Sequence, residues 1–435
     1  MSTASTGKGS IGLLGTIFTL VGFVVGASIY ILPGQLFAMA GPAMILSMVA
    51  ASIPALFTCL LAAQIGSAYP GSGANFLATR DLLSPFWGFI TIWSIIGATV
   101  VALALLAYGF ADYLGVLLPA LAAFRGLVAC AIILLFCLLN FLGAREAAWF
   151  QTFVVVALKG SLVLFAAIGL FYIDPARFVP FAPHGSGAVM MGTVPAFFAF
   201  LGFTLIVAIS EEIKDPGRTI PRALAWSFVI IMATYIAVSV VAVGTLSPEI
   251  LANSKTPIDD AAKAILPGWA IFLMSVGALM AATTSINGVL LLVSRDVVAL
   301  ARDGLLPTTL AENSFKSQVP AKAILAVAAL AIACILTGAS IERFAVTTVV
   351  GILLAQGVIA VACWRMPTRL GSAYSALPFK MSPFVLRLVC ALMIVSCVGF
   401  LAISLLGSWM PAVVAAIYLA IGALWFATRL NTIKA

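Results

Sequence analysis

Long apolar runs alternate with short polar breaks along almost the entire chain. A helix needs roughly 20 mainly apolar residues to cross the hydrocarbon core of a bilayer, and about twelve runs of this kind are present. The pattern therefore predicts an all-α membrane protein with twelve transmembrane helices. The predicted helices cover residues 11–38, 41–69, 84–118, 124–142, 149–172, 189–213, 223–247, 267–301, 321–338, 341–363, 384–406 and 410–428.

Two of these runs are interrupted by glycine-containing segments. The first breaks at Val21–Ser28, and the sixth breaks around Phe198–Thr204. Glycine lets the backbone leave the helix, and non-helical backbone at membrane depth is tolerated only where it is buried or lines a cavity. Small residues also let membrane helices pack closely, which is the alternative explanation. The matching position of the two breaks favours a binding site.

The spacing of the breaks divides the chain into two similar halves. Five runs can be counted from each break, which gives halves of 11–172 and 189–363, followed by two extra helices in 384–428. The tails are residues 1–10 and 429–435. This is a five-plus-five inverted-repeat plan, in which discontinuous helices 1 and 6 place a binding site near the midplane of the membrane.

The chemistry of a broken helix suits an amino acid. Backbone amides at the N-terminus of a half-helix favour a carboxylate, while freed carbonyls favour an ammonium group. Polar Ser28 and Thr204 flank the two breaks. One broken pair of helices can therefore bind both ends of an α-amino acid.

Composition and charge support a membrane location. The 435-residue chain is 63% hydrophobic and 8% charged, with a mean hydropathy of +1.22, which excludes an ordinary soluble domain. The net charge of +8 is scattered over the loops without a basic stripe, so we expect no nucleic-acid partner. Most of the loop cations fall on one side, which predicts a cytoplasmic (inner) membrane protein with both termini in the cytoplasm.

Other functional classes lack their signatures in the sequence. The seven Cys lie mostly within helices without a C-x-x-C pair, so we expect packing residues and no metal or cofactor. The first run is too long for a signal peptide and is expected to remain as a helix. No phosphate-binding loop or nucleophile with a base is present, so an enzyme is not expected. A channel requires a continuous polar stripe along a pore, whereas the polar residues and helix breaks of this sequence converge on one zone near the midplane of the membrane.

From Ile11 to about Pro383 the chain resembles the amino acid–polyamine–organocation permease superfamily, of the bacterial amino acid permease type. Four segments in the expected order carry the resemblance. They are Gly26-Ala27-Ser28-Ile29-Tyr30-Ile31-Leu32-Pro33-Gly34, then Asn140-Phe141-Leu142-Gly143 through Gln151 to Lys159, then Phe197-Phe198-Ala199-Phe200-Leu201-Gly202-Phe203 with Glu211-Glu212-Ile213-Lys214-Asp215-Pro216 and Ile220-Pro221-Arg222-Ala223, and finally Ser294-Arg295 with Ala301-Arg302-Asp303-Gly304-Leu305-Leu306-Pro307.

The resemblance implies that the backbone of helices 1 and 6 grips the substrate during alternating access. The amides of the first break would meet the carboxylate, carbonyls near Phe23 and Phe200 would meet the amine, and Phe198 would be an aromatic lid. The family's third glycine is Ser28 here, and Thr204 stands where many relatives carry Glu, which disfavours a cationic substrate. The implied substrate-binding residues are Phe23, Gly26, Ala27, Ser28, Phe198, Phe200, Gly202 and Thr204.

Lys159 is the candidate coupling residue. It lies about ten residues into the fifth helix, hence near mid-membrane at about 1.5 Å per residue, where a lysine is costly and functional by default. Relatives with this lysine resemble sodium-independent carriers. A buried amine can also exchange protons. We therefore expect no sodium requirement, with proton coupling as the first interpretation and exchange as the second.

Three further residues are possible pocket residues. Trp93 and Tyr235 can line a pocket, although aromatic residues in a bundle more often pack or anchor at the interface. Asn287 can contact substrate or hydrogen-bond between helices, and the second is commoner. The sequence predicts a carrier of small neutral L-amino acids, coupled to protons and embedded in lipid. An exchanger, or a permease for a small amine, polyamine or organic cation, is the alternative, and the oligomeric state stays open.

Overall fold

A computed structural model describes residues 11–71, 73–141, 160–204, 206, 210, 213–312 and 320–433. Most of this part of the chain is helical, which lets the backbone satisfy its own hydrogen bonds inside lipid. The helices are α1 (Leu13–Val24), α2 (Ser28–Ala40), α3 (Met44–Ala68), α4 (Ala74–Leu82), α5 (Pro85–Leu117), α6 (Arg125–Phe141), α7 (Gly160–Tyr172), α8 (Gly185–Phe197), α9 (Pro216–Thr245), α10 (Pro248–Asn253), α11 (Pro257–Ile265), α12 (Gly268–Arg302), α13 (Ala321–Leu336), α14 (Ile341–Leu370), α15 (Pro383–Gly407) and α16 (Met410–Ile433).

The described helices include long apolar stretches of membrane-spanning length. In the described chain, 8 stretches are long and apolar enough to span a bilayer, and shorter apolar helices include α1, α7, α8 and α13. The stretch Ser28–Ala68 has 41 residues, about 60 Å at 1.5 Å per residue, and a 3₁₀ turn at Gly41–Ala43 divides it into two crossings. The predicted all-helical membrane fold is confirmed.

The first and sixth crossings are discontinuous, as the sequence predicts. Helix α1 ends at Val24, and α2 begins at Ser28 after three residues that leave the helix. Helix α8 ends at Phe197 and continues only as a 3₁₀ turn over Phe198–Phe200. Each half of the chain therefore begins with a broken helix.

Helices α5 and α14 pack together at the centre of the bundle. The close fit depends on Gly351 of α14, where a Cβ atom would lie 2.9 Å from the Cβ of Ala98 on α5. On the outside, α15 and α16 expose large apolar side chains that would be a liability in water. This face suits lipid, and its residues include Leu388, Val395, Val398, Ile417, Ile421 and Leu424.

The search for apolar runs misses the short helices between crossings. Helices α4, α10 and α11 carry polar and charged residues on one side, so their mean hydropathy is too low for a membrane span. The predicted run 341–363 also extends to Leu370, because Arg365 and Arg369 continue the helix beyond its apolar part. Two of these short helices, α10 and α11, form a cap over α2.

The cap contacts α2 through backbone at Gly34. A Cβ atom on Gly34 would lie 2.7 Å from the carbonyl oxygen of Ser254 and 3.1 Å from that of Leu251. Three residues earlier in α2, the Ile31 side chain fills the space beside Gly109 of α5. The half of the first crossing that follows the break is thus sealed on two sides by glycine contacts.

Gly34→Ala is expected to loosen this seal and destabilise the protein, because the two nearest atoms are backbone oxygens that cannot rotate away. We expect a loss of about 1–3 kcal/mol, as for overpacking of a tight contact. Thermal unfolding of the purified protein in detergent measures it. Gly399→Ala is the control, since that helical glycine has nothing within 4 Å of its Cβ position. Equal melting temperatures for the two variants would contradict the close approach.

The cap also holds a buried carboxyl group. Asp259 of α11 is 0% exposed, its Oδ2 accepts a hydrogen bond from the Ser275 hydroxyl of α12, and its Oδ1 has no hydrogen-bond partner among the described residues. Burial raises the pKa of Asp259 from 3.8 to about 6, against the lowering effects of Ser275 and Lys263. The cap is therefore sensitive to protonation of this group.

Since the folded-state pKa of Asp259 is raised, its contribution to stability is full below pH 3.8 and is lost as the pH rises through about 6. A shift of this size corresponds to at most about 3 kcal/mol. Asp259→Asn is expected to raise the melting temperature at pH 8 and to flatten its rise between pH 8 and pH 5. Exposed Glu342→Gln should keep the wild-type pH dependence. A wild-type slope in Asp259→Asn would contradict the assignment.

Candidate functional site

The two helix breaks face one cavity of about 170 Å³. All eight residues predicted for substrate binding line it, so the structure brings together segments that lie far apart in sequence. Their contact with a substrate stays a prediction. The lining consists of Phe23, Val24, Gly26, Ala27, Ser28, Thr58, Gly71, Gly73, Ala74, Asn75, Ile92, Ile95, Thr99, Ala102, Leu106, Phe197, Phe198, Phe200, Leu201, Gly202, Thr204, Ser285, Val289, Leu292, Asp296, Thr348, Ile352, Ala355 and Gln356.

Tyr235 of α9 joins the two breaks. Its hydroxyl donates toward the carbonyl oxygens of Val24 at 2.9 Å and Ala199 at 2.8 Å, and Ser28 is also a hydrogen-bonding neighbour. The ring packs edge-on against Phe200, with centroids 5.3 Å apart. Tyr235 was a candidate pocket residue, but the structure buries it behind the cavity wall, because its hydroxyl satisfies backbone groups that the breaks release.

Glycines on two other segments hold the Phe23 side chain in place. A Cβ atom on Gly202 would lie 2.8 Å from the Phe23 ring, and one on Gly288 of α12 would lie 3.0 Å from it. Gly202 also has a φ of +116°, a conformation that side-chain-bearing residues rarely adopt. The second break therefore depends on glycine both for its turn and for its contact with the first.

Gly26 has a similar role on the other side of the first break. Its missing side chain lets the backbone approach α12, where the Ser285 oxygen would lie 2.4 Å from a Cβ atom. The first turn of α2 follows at once, and the leading amides of a helix have no partner within that helix. The Gly26 amide itself donates to the Val24 carbonyl at 2.8 Å, so the amides of Ala27 and Ser28 are the candidate backbone donors next to the cavity.

The cavity runs from the breaks toward one side of the membrane. Helix α5 lines it from Leu106 to Ile92, fourteen residues or about 21 Å along the helix axis. The far end is formed by Gly71 and by Asn75 of α4, both in the connection between the second and third crossings, together with Asp296. The charge distribution predicts that this connection is cytoplasmic, so we refer to this end as the inner end.

Several polar residues of the lining were not singled out from the sequence. The hydroxyl oxygens of Thr58 and Thr348 are buried and have no hydrogen-bond partner among the described residues. Gln356 is also nearly buried at the cavity. These residues are on unbroken helices, where an isolated polar residue gives no sequence signal. The position of Asp296 could have been found from the sequence. It follows Ser285 by eleven residues, about three helical turns, which places both residues on the same face of the helix.

Two other candidate pocket residues are placed outside the lining. The Trp93 ring stacks on Tyr418 of α16 at 4.9 Å, and its Nε1 donates to the Tyr418 carbonyl at 3.0 Å. Asn287 accepts a 2.8 Å hydrogen bond from Nδ2 of Asn140 on α6. Trp93 therefore packs the last helix against α5, and Asn287 links two helices, which is the commoner of the two roles weighed for it.

Some residues singled out from the sequence lie outside the described part of the chain. They are Lys159, Gly143 and Gln151 of the fourth-to-fifth helix stretch, and Glu211 and Glu212 after the second break. Among the described charged residues near the helix ends, Arg80 pairs with Asp81 and, at 3.5 Å, with Asp303. Both pairs are well exposed, where ion pairs contribute little.

Comparison with known proteins identifies the family. A family model described as amino acid permease matches residues 11–426. The chain belongs to this amino acid permease family. The predicted superfamily is confirmed by this match.

Curated relatives of the permease carry transporter names. It is 31% identical over 326 residues to an uncharacterized transporter of Mycobacterium tuberculosis, covering 74% of this chain and 72% of the relative. It is 28% identical over 318 residues to a branched-chain amino acid permease of Bacillus subtilis, covering 69% and 68%. It is 31% identical over 330 residues to human cationic amino acid transporter 4, covering 70% and 52%.

Tyr235→Phe is expected to weaken ligand binding, because the variant leaves the Ala199 carbonyl without the donor described for it, whereas the Val24 carbonyl keeps the Gly26 amide. A buried unsatisfied group costs about 1–3 kcal/mol, so dissociation constants of labelled L-amino acids should rise about fivefold or more. Tyr108→Phe is the matched control. Its hydroxyl also donates to a carbonyl, that of Ile335, but away from the cavity lining. It should lower the melting temperature and leave binding unchanged, and the same binding loss in both variants would contradict a specific role for Tyr235.

Proposed function

We propose that this permease is a secondary active transporter of small neutral L-amino acids, working by alternating access without sodium and in symport with protons. One observation carries the proposal. Two helix breaks, joined through Tyr235, present backbone donors and acceptors to a single cavity within the bundle. Backbone groups of this kind suit the carboxylate and ammonium groups that every α-amino acid carries.

In the proposed complex, the amides of Ala27 and Ser28 bind the carboxylate at the positive end of α2. Gly26 lies beside it, and its own amide donates to the Val24 carbonyl at 2.8 Å. Carbonyl groups near Phe23 and Phe200 bind the ammonium group. The Phe198 ring covers the substrate, while Gly202 and Thr204 complete the wall. The names of the related amino acid permeases support an amino acid as substrate.

The lining of the cavity supports a small neutral side chain. Around the breaks it is apolar or uncharged, with Ile95, Ala102 and Val289 among its members. A volume of about 170 Å³ is below the roughly 300–1,000 Å³ typical of sites for drug-sized ligands. An additional cation on the substrate would lose its hydration next to these residues without a carboxylate close by.

The shape of the cavity supports alternating access. It extends toward the inner end, whereas the opposite direction is blocked by α2 packed on the cap at Gly34 and on α5 at Gly109. An inward-facing conformation of a carrier has this asymmetry. Lys159 is the proposed coupling group, on the sequence argument of a lysine at mid-membrane depth.

Uptake into sodium-free proteoliposomes tests the function. With a panel of labelled L-amino acids and amines, we expect accumulation of small neutral amino acids only when the interior is alkaline. Uptake only into preloaded vesicles would instead make the permease an exchanger. Uptake of amines alone would favour a permease for small organic cations. Lys159→Gln is expected to abolish gradient-driven accumulation, and unchanged accumulation would refute its coupling role.

Gly26→Ala is expected to abolish uptake, since its Cβ would collide with the Ser285 oxygen at 2.4 Å and move the first break. Ser285→Ala removes that oxygen, and the next Ser285 atom is 3.7 Å away. The double variant Gly26→Ala/Ser285→Ala should therefore recover part of the uptake lost in the single variant. Initial rates in the same proteoliposomes measure this. No recovery, with normal uptake by Ser285→Ala alone, would mean that Gly26 acts through something other than this contact.

A further inference from the structure

Asp296 lies on the face of α12 that lines the cavity. Ser285, Val289, Leu292 and Asp296 all belong to the lining, and their spacings of four, three and four residues place them on one side of the helix. Eleven residues separate Ser285 from Asp296, about 16 Å along the axis. The carboxyl group therefore sits at the inner end of the cavity, three turns from the helix breaks.

Asp296 has no counter-charge in the described part of the chain. It is the only charged side chain among the described lining residues, and the other described walls of the cavity, which include α4, α5 and α14, are neutral. On its own helix, Arg295 and Arg302 are exposed to the outside of the bundle, and Asp303 pairs with Arg80. None of these groups forms an ion pair with Asp296, and its carboxyl group has no ion-pair partner among the described residues.

A carboxylate in this position is costly, since Asp296 is partly withdrawn from solvent and a charge without a partner is disfavoured there. The group can lower that cost by taking up a cation. A proton is the smallest cation available from the water at the inner end, and its binding removes the charge altogether. Neutral Asn or Gln would fill the same space without this cost, so packing alone does not explain the acid.

We propose that Asp296 is a proton-binding site of the transport cycle, reached from the inner end of the cavity. The carboxylate takes one proton from water there and becomes a neutral carboxylic acid, and it returns that proton when the cavity is hydrated again. The proposal rests on the proposed proton-coupled transport. It adds Asp296 as a second protonatable group, in addition to Lys159.

The distance from the breaks distinguishes this role from substrate recognition. A substrate whose backbone is held at Gly26, next to Ser285, would lie about 16 Å from Asp296 along the axis of α12, farther than any amino-acid side chain reaches. Asp296 and the bound substrate are therefore separate sites along one cavity, and protonation can change the charge of the exit path without touching the substrate.

Infrared difference spectroscopy on the purified protein tests proton binding without any substrate. Spectra recorded at low and high pH should show the C=O band of a protonated carboxylic acid that disappears in Asp296→Asn. The control is Asp303→Asn, which removes an exposed acid seven residues farther along the same helix. It should keep the band. A band of wild-type intensity in Asp296→Asn would overturn the proposal.

Transport by the same variants tests the link to the cycle. Asp296→Asn is expected to lose at least about tenfold of the accumulation driven by an inside-alkaline gradient, while Asp303→Asn accumulates as the wild type does. Undiminished accumulation by Asp296→Asn would overturn the proposal, as would a selective loss of binding for lysine, arginine or amines. Wild-type protein that takes up no amino acid would refute the proposed function instead, and the infrared band would still decide for or against Asp296 as a proton site.

Discussion

The structure depends on how the backbone groups released at two helix breaks are satisfied inside a membrane. Each unpaired amide or carbonyl in a water-free interior costs free energy comparable to a lost hydrogen bond, so a broken helix needs partners that an intact helix does not. Here the partners are Tyr235 for two of the carbonyls and, in the proposed function, the two charged ends of a substrate. The glycines beside the breaks keep them close enough for this.

Glycine contacts also shape the rest of the cavity. The Phe23 ring is enclosed by Gly202 and Gly288, the first break rests on Ser285 through Gly26, and α2 rests on the cap through Gly34. These are contacts between a backbone and a neighbouring segment, with no side chain between them. A movement of α2 relative to the bundle thus has to separate close backbone contacts rather than slide flexible side chains.

The sequence predicts the helices and the breaks well because both have local causes. Apolar runs of membrane length and glycine-rich interruptions are visible in a window of twenty residues, and the eight residues assigned to the site from the breaks all reach the cavity. Trp93, Tyr235 and Asn287 were harder to place, since a single polar or aromatic residue in a helix does not show which neighbour it faces. The same limit hid Thr58 and Thr348. Asp296 is adjacent in sequence to the charged and exposed Arg295, and only the rotation of α12 turns it toward the cavity.

The Tyr235 hydroxyl carries one hydrogen but faces two carbonyl oxygens, those of Val24 and Ala199. A single hydrogen serves one acceptor well at any moment, so one of the two breaks always retains acceptor capacity. Rotation of the Tyr235 O–H bond moves the hydrogen bond from one carbonyl to the other, so the carbonyl that lacks this donor changes from one break to the other. The two halves are consequently in competition for a shared donor, and any group that supplies another donor at one break releases Tyr235 to the other.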